Sequence, residues 1–570
     1  MDGALAFSPH DPNVLYNADE VLFESTDLGQ SWRIISPDLT RNDKSKQLSS
    51  GGPITKDNTD IETYDTIFSV VESPVQKGLI WVGTDDGLVK LTADGGANWH
   101  NVTPKDMPAW GTVDMVEADP HEAGTAYIAV DCHRLDDFRP HAFRTDDFGK
   151  TWVSITQGIP DGSYVHAVRA DPARPGLLYA ATETGIFVSF DDGARWQPLQ
   201  LNLPRVPVHD LVVHDGDFVV ATHGRSFWVL DDLSAIRQWS QSIGNEEFHL
   251  FAPRTSRRIL YSGFGDMTGK FTGANPPAGV VVDYYLASGT APSADDKGGA
   301  ADHSSKRVKI EILDAAGNVI RTFPDPYQPK KEKGGDDDDF RGPKPAVLTA
   351  NAGLNRFVWD MRYAGSPAIP KTAMWAASLA GPVALPGHYQ VRVTVDGKSE
   401  TQPFEITPDP RLHVTEAELR QQFDLDMAIR GELRQVQDAL LQIRALHTRL
   451  ASLREGVAAK KIANGSRILR AANELERKAT AVEDRMIQRK SVASEDPLNF
   501  PIRLNNMIAS LNALVERGSS APTQADREDF DQLKAMAAKD LEDWDRARQT
   551  DLASFNSLLA KSGEPAIDLD

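Results

Sequence analysis

The sequence predicts a mostly β protein with an α-helical C-terminal region, in which β-propeller blades precede an immunoglobulin- or fibronectin-like β-sandwich and a helical bundle. Three observations predict this fold: a unit of short strands that repeats along the N-terminal part, longer alternating strands in the middle, and apolar residues at helical spacing near the C-terminus. The predicted domains are five blades in 1–250, the sandwich in 251–410 and the helices in 411–570.

An eight-residue box marks four of the repeated units. S-T-D-L-G-Q-S-W begins at residue 25, T-A-D-G-G-A-N-W at 92, T-D-D-F-G-K-T-W at 145 and S-F-D-D-G-A-R-W at 189. The glycine permits a tight turn, the aspartate and the hydroxyl bond the turn's backbone, and the tryptophan fills the gap between blades. We therefore predict a structural role for the box positions, which are Asp27, Gly29, Trp32, Asp94, Gly96, Trp99, Asp147, Gly149, Trp152, Asp191, Gly193 and Trp196.

Each box lies at the same point of a larger unit, of which Val168 to Leu199 is one copy with three or four short strands. The spacing from Trp152 to Trp196 is 44 residues, which fits a four-stranded propeller blade of roughly 40 to 50 residues. A fifth unit at 211–232 keeps the strands and lacks the box. The box turn is expected at the outer edge of each blade, so functional groups are expected elsewhere.

The four boxes resemble Asp-box (BNR) repeats, the turn motif of sialidases, sortilin-type VPS10 propellers and two-propeller xyloglucanases. Further strings, including P-D-L-T-R-N-D-K at 37–44 and G-L-N-R-F-V-W-D-M-R at 353–362, resemble large bacterial WD40/YVTN/BNR-like or sortilin-like repeat proteins, sometimes labelled glycosyl hydrolases. The resemblance covers only the C-terminal part of such proteins, which normally begin with a signal peptide and further blades.

The resemblance therefore implies that the remaining blades come from an N-terminal part missing from this chain, or from self-association or a second polypeptide. A fragment of such a protein is expected to be periplasmic or extracellular. A complete chain is expected to be cytoplasmic, because no basic and apolar leader precedes the first strand.

Composition excludes several classes of function. Eighty-two acidic residues against sixty-one basic ones give a net charge of -21, so a nucleic-acid partner would be repelled over most of the surface. No apolar run approaches the roughly 18 to 20 residues of a membrane span. The single cysteine, Cys132, excludes an internal disulfide framework and a multi-cysteine metal site. No cofactor is predicted.

The C-terminal region carries apolar stripes of two helices. Ile468, Ala472, Leu475, Ala479, Val482 and Met486 follow spacings of four and three, which predicts a helix that packs against an earlier one across a break near 456–465. Two further helices are predicted at about 498–517 and 523–560. The segments 288–306 and 325–346 are predicted as surface loops, and the acidic run 336–339 as a solvated loop rather than a calcium site.

Three stretches carry enough polar side chains to form a ligand site. The candidates are Asp131, His133 and Arg134 in an insertion, Asp85, Asp86 and Glu183 in the matching turns G-T-D-D-G and A-T-E-T-G, and His223 and Arg225 after a strand. For the turn carboxylates the alternative is a loop that bonds its own backbone. His133 and His141 are eight residues apart, which matches no standard metal site, so no metal site is predicted.

These observations predict a protein that binds a peptide or a polysaccharide through propeller loops, with the sandwich and the helices serving assembly. The alternative is a glycoside hydrolase that resembles the two-propeller xyloglucanases and acts with carboxylates at a propeller cleft, since glycoside hydrolysis needs two carboxyl groups. The sequence identifies no catalytic residue, because it offers many carboxylates and no measure of their separation.

Overall fold

The computed structural model describes residues 4–48, 64–259, 273, 275–289, 307–324, 348–460, 464–493 and 495–569. The chain divides into two compact units, Met1–Ser240 and Gln241–Asp570. No helix in the described part of the chain is long and apolar enough to cross a membrane. The predicted loop at 325–346, its acidic run and most of the predicted loop at 288–306 lie outside the described residues.

The first unit contains five antiparallel sheets, and the strands of each sheet follow one another in chain order. The first sheet contains β1 (Leu5–Phe7), β2 (Leu15–Ala18), β3 (Leu22–Ser25) and β4 (Arg33–Ile34); the second contains β5 (Ile67–Glu72), β6 (Ile80–Thr84), β7 (Val89–Thr92) and β8 (His100–Asn101); the third contains β9 (Thr112–Ala118), β10 (Ala126–Asp131), β11 (His141–Thr145) and β12 (Val153–Ser154); the fourth contains β13 (Val165–Ala170), β14 (Leu178–Thr182), β15 (Gly185–Ser189) and β16 (Gln197–Pro198); the fifth contains β17 (Val208–His214), β18 (Asp217–Thr222) and β19 (Phe227–Leu230), followed by the short helix α1 (Ser234–Gln238).

Neighbouring sheets pack face to face, and their first strands lie side by side: β5 contacts β9, β9 contacts β13, and β13 contacts β17. Each neighbouring pair of sheets shares one apolar core. The second strands β6 and β14 are buried along their whole length, because a sheet covers each of their faces. Successive antiparallel sheets that pack in this way are the blades of a propeller-type fold.

The four boxes form the same turn. In the fourth, Ser189 donates its hydroxyl hydrogen to Asp191 and accepts a hydrogen bond from the Gly193 amide, while Asp191 also accepts from the amide of Arg195. The equivalent glycine amides donate to Ser25, Thr92 and Thr145 in the other boxes. Gly193 has a φ of 86°, and a Cβ there would lie 2.9 Å from Ile155 of the preceding sheet. The turn therefore requires glycine for its conformation and for close packing.

The box tryptophans connect each sheet to the one before it. Trp99 donates its indole hydrogen to the carbonyl of Ile35, Trp152 to that of Val102, and Trp196 to that of Ile155. Each accepting residue directly follows the fourth strand of the preceding sheet. The first box differs, because Trp32 donates to Gly29 of its own turn and is 41% exposed.

The second unit contains two sheets around one apolar core and a set of helices. One sheet has the order β20-β22-β25 and the other β21-β27-β26-β23-β24, with β21 parallel to β27. The strands are β20 (Phe248–Leu250), β21 (Ser256–Arg258), β22 (Val280–Leu286), β23 (Val308–Asp314), β24 (Val319–Phe323), β25 (Gly353–Trp359), β26 (Gly387–Val395) and β27 (Lys398–Pro408). The sequence predicted a boundary at 250, whereas the units divide after Ser240, because β20 pairs with β22.

The predicted helical region is confirmed. It contains α2 (Glu416–Lys460), α3 (Gly465–Met486), α4 (Leu504–Val515), α5 (Gln524–Arg546) and α6 (Ala553–Lys561), with a π-helical turn at Ala547–Leu552. All six residues of the predicted α3 stripe are buried. They pack with buried residues of α2 in one core, as the spacing of four and three requires.

A buried group of charges lies between the sheets and the helices of the second unit. Arg362 donates to Glu516 at the end of α4 over 2.7 Å, and Arg258 donates to the hydroxyl of Ser519 and the carbonyl of Ala384. Asp426 of α2 is 3% exposed, and its pKa is raised to about 8, mainly by burial and then by the nearby Glu516, against the opposing pull of the two arginines. The folded unit therefore holds a proton on Asp426 at neutral pH.

We predict that Trp196→Phe lowers the free energy of unfolding of the first unit by about 1–3 kcal/mol, because it leaves the buried carbonyl of Ile155 without its donor. Trp32→Phe is the matched control and should change it by less than about 0.5 kcal/mol, since its bond is local and exposed. Denaturant unfolding followed by circular dichroism measures both. Equal losses in the two variants would contradict the connecting role of the later boxes.

We predict that Asp426→Asn stabilises the second unit at pH 8 and has little effect near pH 4. The folded pKa of about 8 lies above the ordinary value of 3.8, so the folded state retains a proton that the unfolded state releases, and stability falls as pH rises between these values. The variant has no such proton and should exceed the wild type at pH 8 by at least about 1 kcal/mol. Denaturant titrations at several pH values test this, and parallel pH profiles would contradict it.

Candidate functional site

In the second to fifth sheets, a polar residue lies at the C-terminal end of the second strand. Asp85 follows β6, Asp131 ends β10, Glu183 follows β14 and His223 follows β18. Because consecutive strands are antiparallel, this end also holds the beginnings of the first strands, and the boxes lie at the opposite end. We call it the loop end of the sheets.

A β-bulge interrupts the first strand of these four sheets close to the loop end. The register shifts at Phe68 in β5, Asp114 in β9, His166 in β13 and His209 in β17. A bulge inserts one unpaired residue and changes the direction of its side chain relative to the regular alternation of a strand. The repeated bulge therefore gives each of these sheets one side chain whose direction does not follow from the alternation of its strand.

Five rings form a continuous row at the loop end of the third to fifth sheets. His133 stacks on Tyr164 with ring centres 5.1 Å apart, and Tyr164 meets His166 edge-on at 5.1 Å. His166 lies 4.6 Å from His209, and His209 lies 5.0 Å from His223. We call these five side chains the ring row. It runs from a buried centre at His166 to exposed rings at His209 and His223.

Three carboxylates border the ring row. Oδ2 of Asp114 lies 3.3 Å from Nδ1 of His166, and Oε2 of Glu183 lies 3.3 Å from Nε2 of the same ring. Asp131 bonds Nδ1 of His133 through Oδ2 over 2.5 Å and accepts the backbone amide of His133 through Oδ1. The centre of the row is therefore an imidazole held between two carboxylates, with a third close by.

The electrostatics of the row differ from one ring to the next. Burial raises the pKa of Asp114. Burial alone would lower the pKa of His166, but hydrogen bonding to Asp114 and Glu183 outweighs it and raises the net value. The pKa of His209 is lowered by burial and by the imidazoles on either side. Burial and the hydrogen bond to Glu183 raise the pKa of Tyr164 to about 12, so its hydroxyl stays protonated.

The remaining sequence candidates take other places. Asp85 accepts hydrogen bonds from the amides of Asp65 and Thr66, and Asp86 accepts from the Arg41 amide and the Thr84 hydroxyl. Burial raises the pKa of each of these two aspartates to about 6. The alternative stated for these turns was a loop that bonds its own backbone, but the amides that these two carboxylates accept belong to other segments of the chain.

The two candidate arginines are exposed. Arg134 belongs to the short 3-10 turn His133–Leu135, and the carbonyl of Arg225 accepts the indole hydrogen of Trp228. His141 bonds Asp137 and not the ring row. The structure thus brings together Asp131, His133, Glu183 and His223 from the sequence candidates.

Sequence reasoning missed Asp114, Tyr164, His166 and His209. Three of them are bulge residues, and they occupy matching positions in the strings V-D-M-V, V-H-A-V and V-H-D-L. An alignment of the repeats at these strings would have shown that the second residue is polar in all three, while the first and fourth residues stay apolar. Tyr164 stands two residues before the bulge of β13 and gave no comparable signal.

Comparisons with known proteins give distant likenesses. No protein-family model matches the chain, and no curated protein sequence matches it. Among solved structures, the GH74 xyloglucanase from Xanthomonas campestris matches at 12% identity and a TM-score of 0.30, over 49% of this chain and 41% of that one. PorZ from Porphyromonas gingivalis matches at 13% and 0.28, over 71% and 51%. YCF48 from Cyanidioschyzon merolae matches at 18% and 0.23, over 29% and 53%.

The chain thus spans about half or less of the length of these solved structures. Identities below 20% and TM-scores of 0.30 or less carry no site residue over from these proteins to this chain.

We predict that the Cys132 thiol resists labelling in the folded protein. It is 1% exposed, and burial together with the carboxylates of Asp137, Asp131 and Asp114 raises its pKa to about 12. At pH 8 only about one thiol in 10,000 is then ionised, and the thiolate is the reactive form. Labelling with a chromogenic disulfide should be at least about 100-fold slower than in denaturant. Equal rates would contradict the burial.

Proposed function

We propose that the protein binds a glycan at the loop end of its propeller sheets, along the ring row. The observation that carries the proposal is the repeated bulge, which places Asp114, His166 and His209 at one face of three successive sheets. Bulges frequently direct side chains into binding sites. Carboxylates border the rings along this face, so it combines flat ring surfaces with hydrogen-bond acceptors.

A sugar chain suits this arrangement better than a peptide does. Sugar rings pack their C–H faces on aromatic rings, and their hydroxyls donate to carboxylates such as Glu183 and to imidazole nitrogens. A peptide strand is commonly held by the free edge of a sheet, whereas the ring row lies at strand ends. The exposed rings of His209 and His223 give the row an open end along which a polymer can extend. The two sheets and the helices of the second unit serve assembly in this proposal, and an exported protein is the setting that fits a glycan ligand.

Glycoside hydrolysis is the second candidate, and one observation favours it. Oxygen atoms of Asp114 and Asp131 lie within 4.8 Å of each other, and burial raises the pKa of Asp114, as an acid catalyst requires. Retaining glycosidases hold their two carboxyl groups about 5–5.5 Å apart. In this alternative Asp114 donates a proton to the leaving oxygen as the glycosidic bond breaks, and Asp131 forms a bond to the anomeric carbon. Water, deprotonated by Asp114, then displaces Asp131 and releases the sugar.

The binding proposal predicts that soluble polysaccharides bind the wild-type chain and that Tyr164→Ala and His209→Ala each weaken binding about 10-fold, since one lost ring contact corresponds to roughly 1.4 kcal/mol. His214→Ala is the matched control, because His214 is an exposed histidine at the far end of β17, and it should leave affinity unchanged. Calorimetry against a panel of glycans and peptides measures these affinities.

Two results would overturn the binding proposal. Binding of peptides alone, or equal affinity in all three variants, would remove the ring row as a glycan site. Turnover of a glycan that is abolished by Asp114→Asn or Asp131→Asn would replace binding by hydrolysis. Circular dichroism shows whether each variant has kept its fold.

A further inference from the structure

Asp114, Asp131 and His166 present three ligand atoms that all lie within 4.8 Å of one another. They come from β9, β10 and β13, so two neighbouring sheets contribute to the group. Oδ2 of Asp114 lies 3.3 Å from Nδ1 of His166. This distance equals the separation of about 3.3 Å between two ligands of a tetrahedral ion with bonds of about 2.0–2.1 Å.

Two of the three ligands, His166 and Asp131, also have an outer partner that holds them in place. Glu183 lies 3.3 Å from Nε2 of His166, the nitrogen that remains protonated when Nδ1 binds an ion. A histidine that donates its second N–H to a carboxylate is the usual arrangement around protein-bound zinc. Asp131 is fixed in the same manner by the ring and the amide of His133.

The charges of the group favour a cation. Asp114, Asp131 and Glu183 converge on two imidazoles, and no lysine or arginine forms an ion pair with any of the three in the described part of the chain. Like charges held this close repel strongly when water is partly excluded. A divalent ion between Asp114 and Asp131 would offset that repulsion.

We propose that Asp114, Asp131 and His166 bind one divalent transition-metal ion of the zinc class. An imidazole ligand favours zinc over calcium and magnesium, which prefer oxygen ligands alone. With three protein side chains bound, a four-coordinate ion has one open position, which a hydroxyl or carboxylate oxygen of a bound glycan can fill. The inference deepens the proposed glycan site, because His166 belongs both to the metal group and to the ring row. It rests on the proposed function only for the statement that the oxygen at the open position comes from a glycan.

A second group, formed by Glu246, His249 and Glu400 of the second unit, also has its ligand atoms within 4.8 Å of one another. Its hydrogen bonds have ordinary lengths. His249 bonds Glu246 over 2.9 Å, and Glu400 accepts the amide of Leu250. Metal titrations are therefore performed in a His249→Gln background, which removes its single nitrogen ligand and leaves the first unit untouched.

Calorimetric titration of the chelator-treated full chain with ZnCl₂, in that background, should show one bound ion per chain. Asp114→Asn and His166→Gln should each weaken zinc binding at least 100-fold, and Glu183→Gln should weaken it about 10- to 100-fold through its hydrogen bond to His166. His141→Gln is the matched control, since His141 bonds Asp137 nearby without joining the group. Replacement of zinc by Co²⁺ should give the visible absorption of a four-coordinate ion.

The proposal is overturned if no zinc binds above the background, if Asp114→Asn binds as tightly as the parent, or if calcium binds as tightly as zinc. Glycan affinity is measured separately, with zinc and with chelator. Zinc binding without any glycan binding supports the metal site and removes the proposed function, whereas glycan binding by a chain that takes up no zinc removes the metal site alone. Circular dichroism and denaturant unfolding confirm that each variant is folded.

Discussion

The bond between a box tryptophan and the preceding sheet is the interaction on which the first unit depends. The aspartate and hydroxyl of each box fix the turn, and the turn aims the indole N–H at a carbonyl just beyond the neighbouring fourth strand. First strands pack together at the opposite edge of the sheets. The first four sheets are thus held to their neighbours at both edges, which sets the spacing at which rings of the third and fourth sheets, such as His133 and Tyr164, can touch.

The repeat separates structural chemistry from binding chemistry. The boxes lie at one end of the sheets and the bulges at the other, so the same framework carries Phe68, Asp114 or His166 at the bulge without change to the connecting bond. A buried ring between two carboxylates is costly unless each polar atom has a partner. The framework supplies those partners from two neighbouring sheets, which a single loop could not do.

The sequence predicted the repeat, the box turns and the helical stripes because each follows from short-range spacing. It also indicated Asp131, Glu183 and His223, since polar residues after apolar strands stand out. It did not indicate His166, because regular alternation gives V-H-A-V no special direction for its second residue, and the bulge that redirects the ring is a feature of pairing with β14. The partners of His166 lie 52 and 17 residues away, so no local motif joins them.

The indole of Trp32 bonds its own turn, whereas the indoles of the three later boxes each bond the preceding sheet. In a row of sheets that contact their neighbours, each interface adds to the stability of the two sheets that form it. The Trp196 indole bridges the third and fourth sheets, which also share an apolar core. Asp114 and Asp131 stand on the third sheet and His166 on the fourth, so the bond of a structural box at one end of the sheets holds together the two halves of the polar group at the other end.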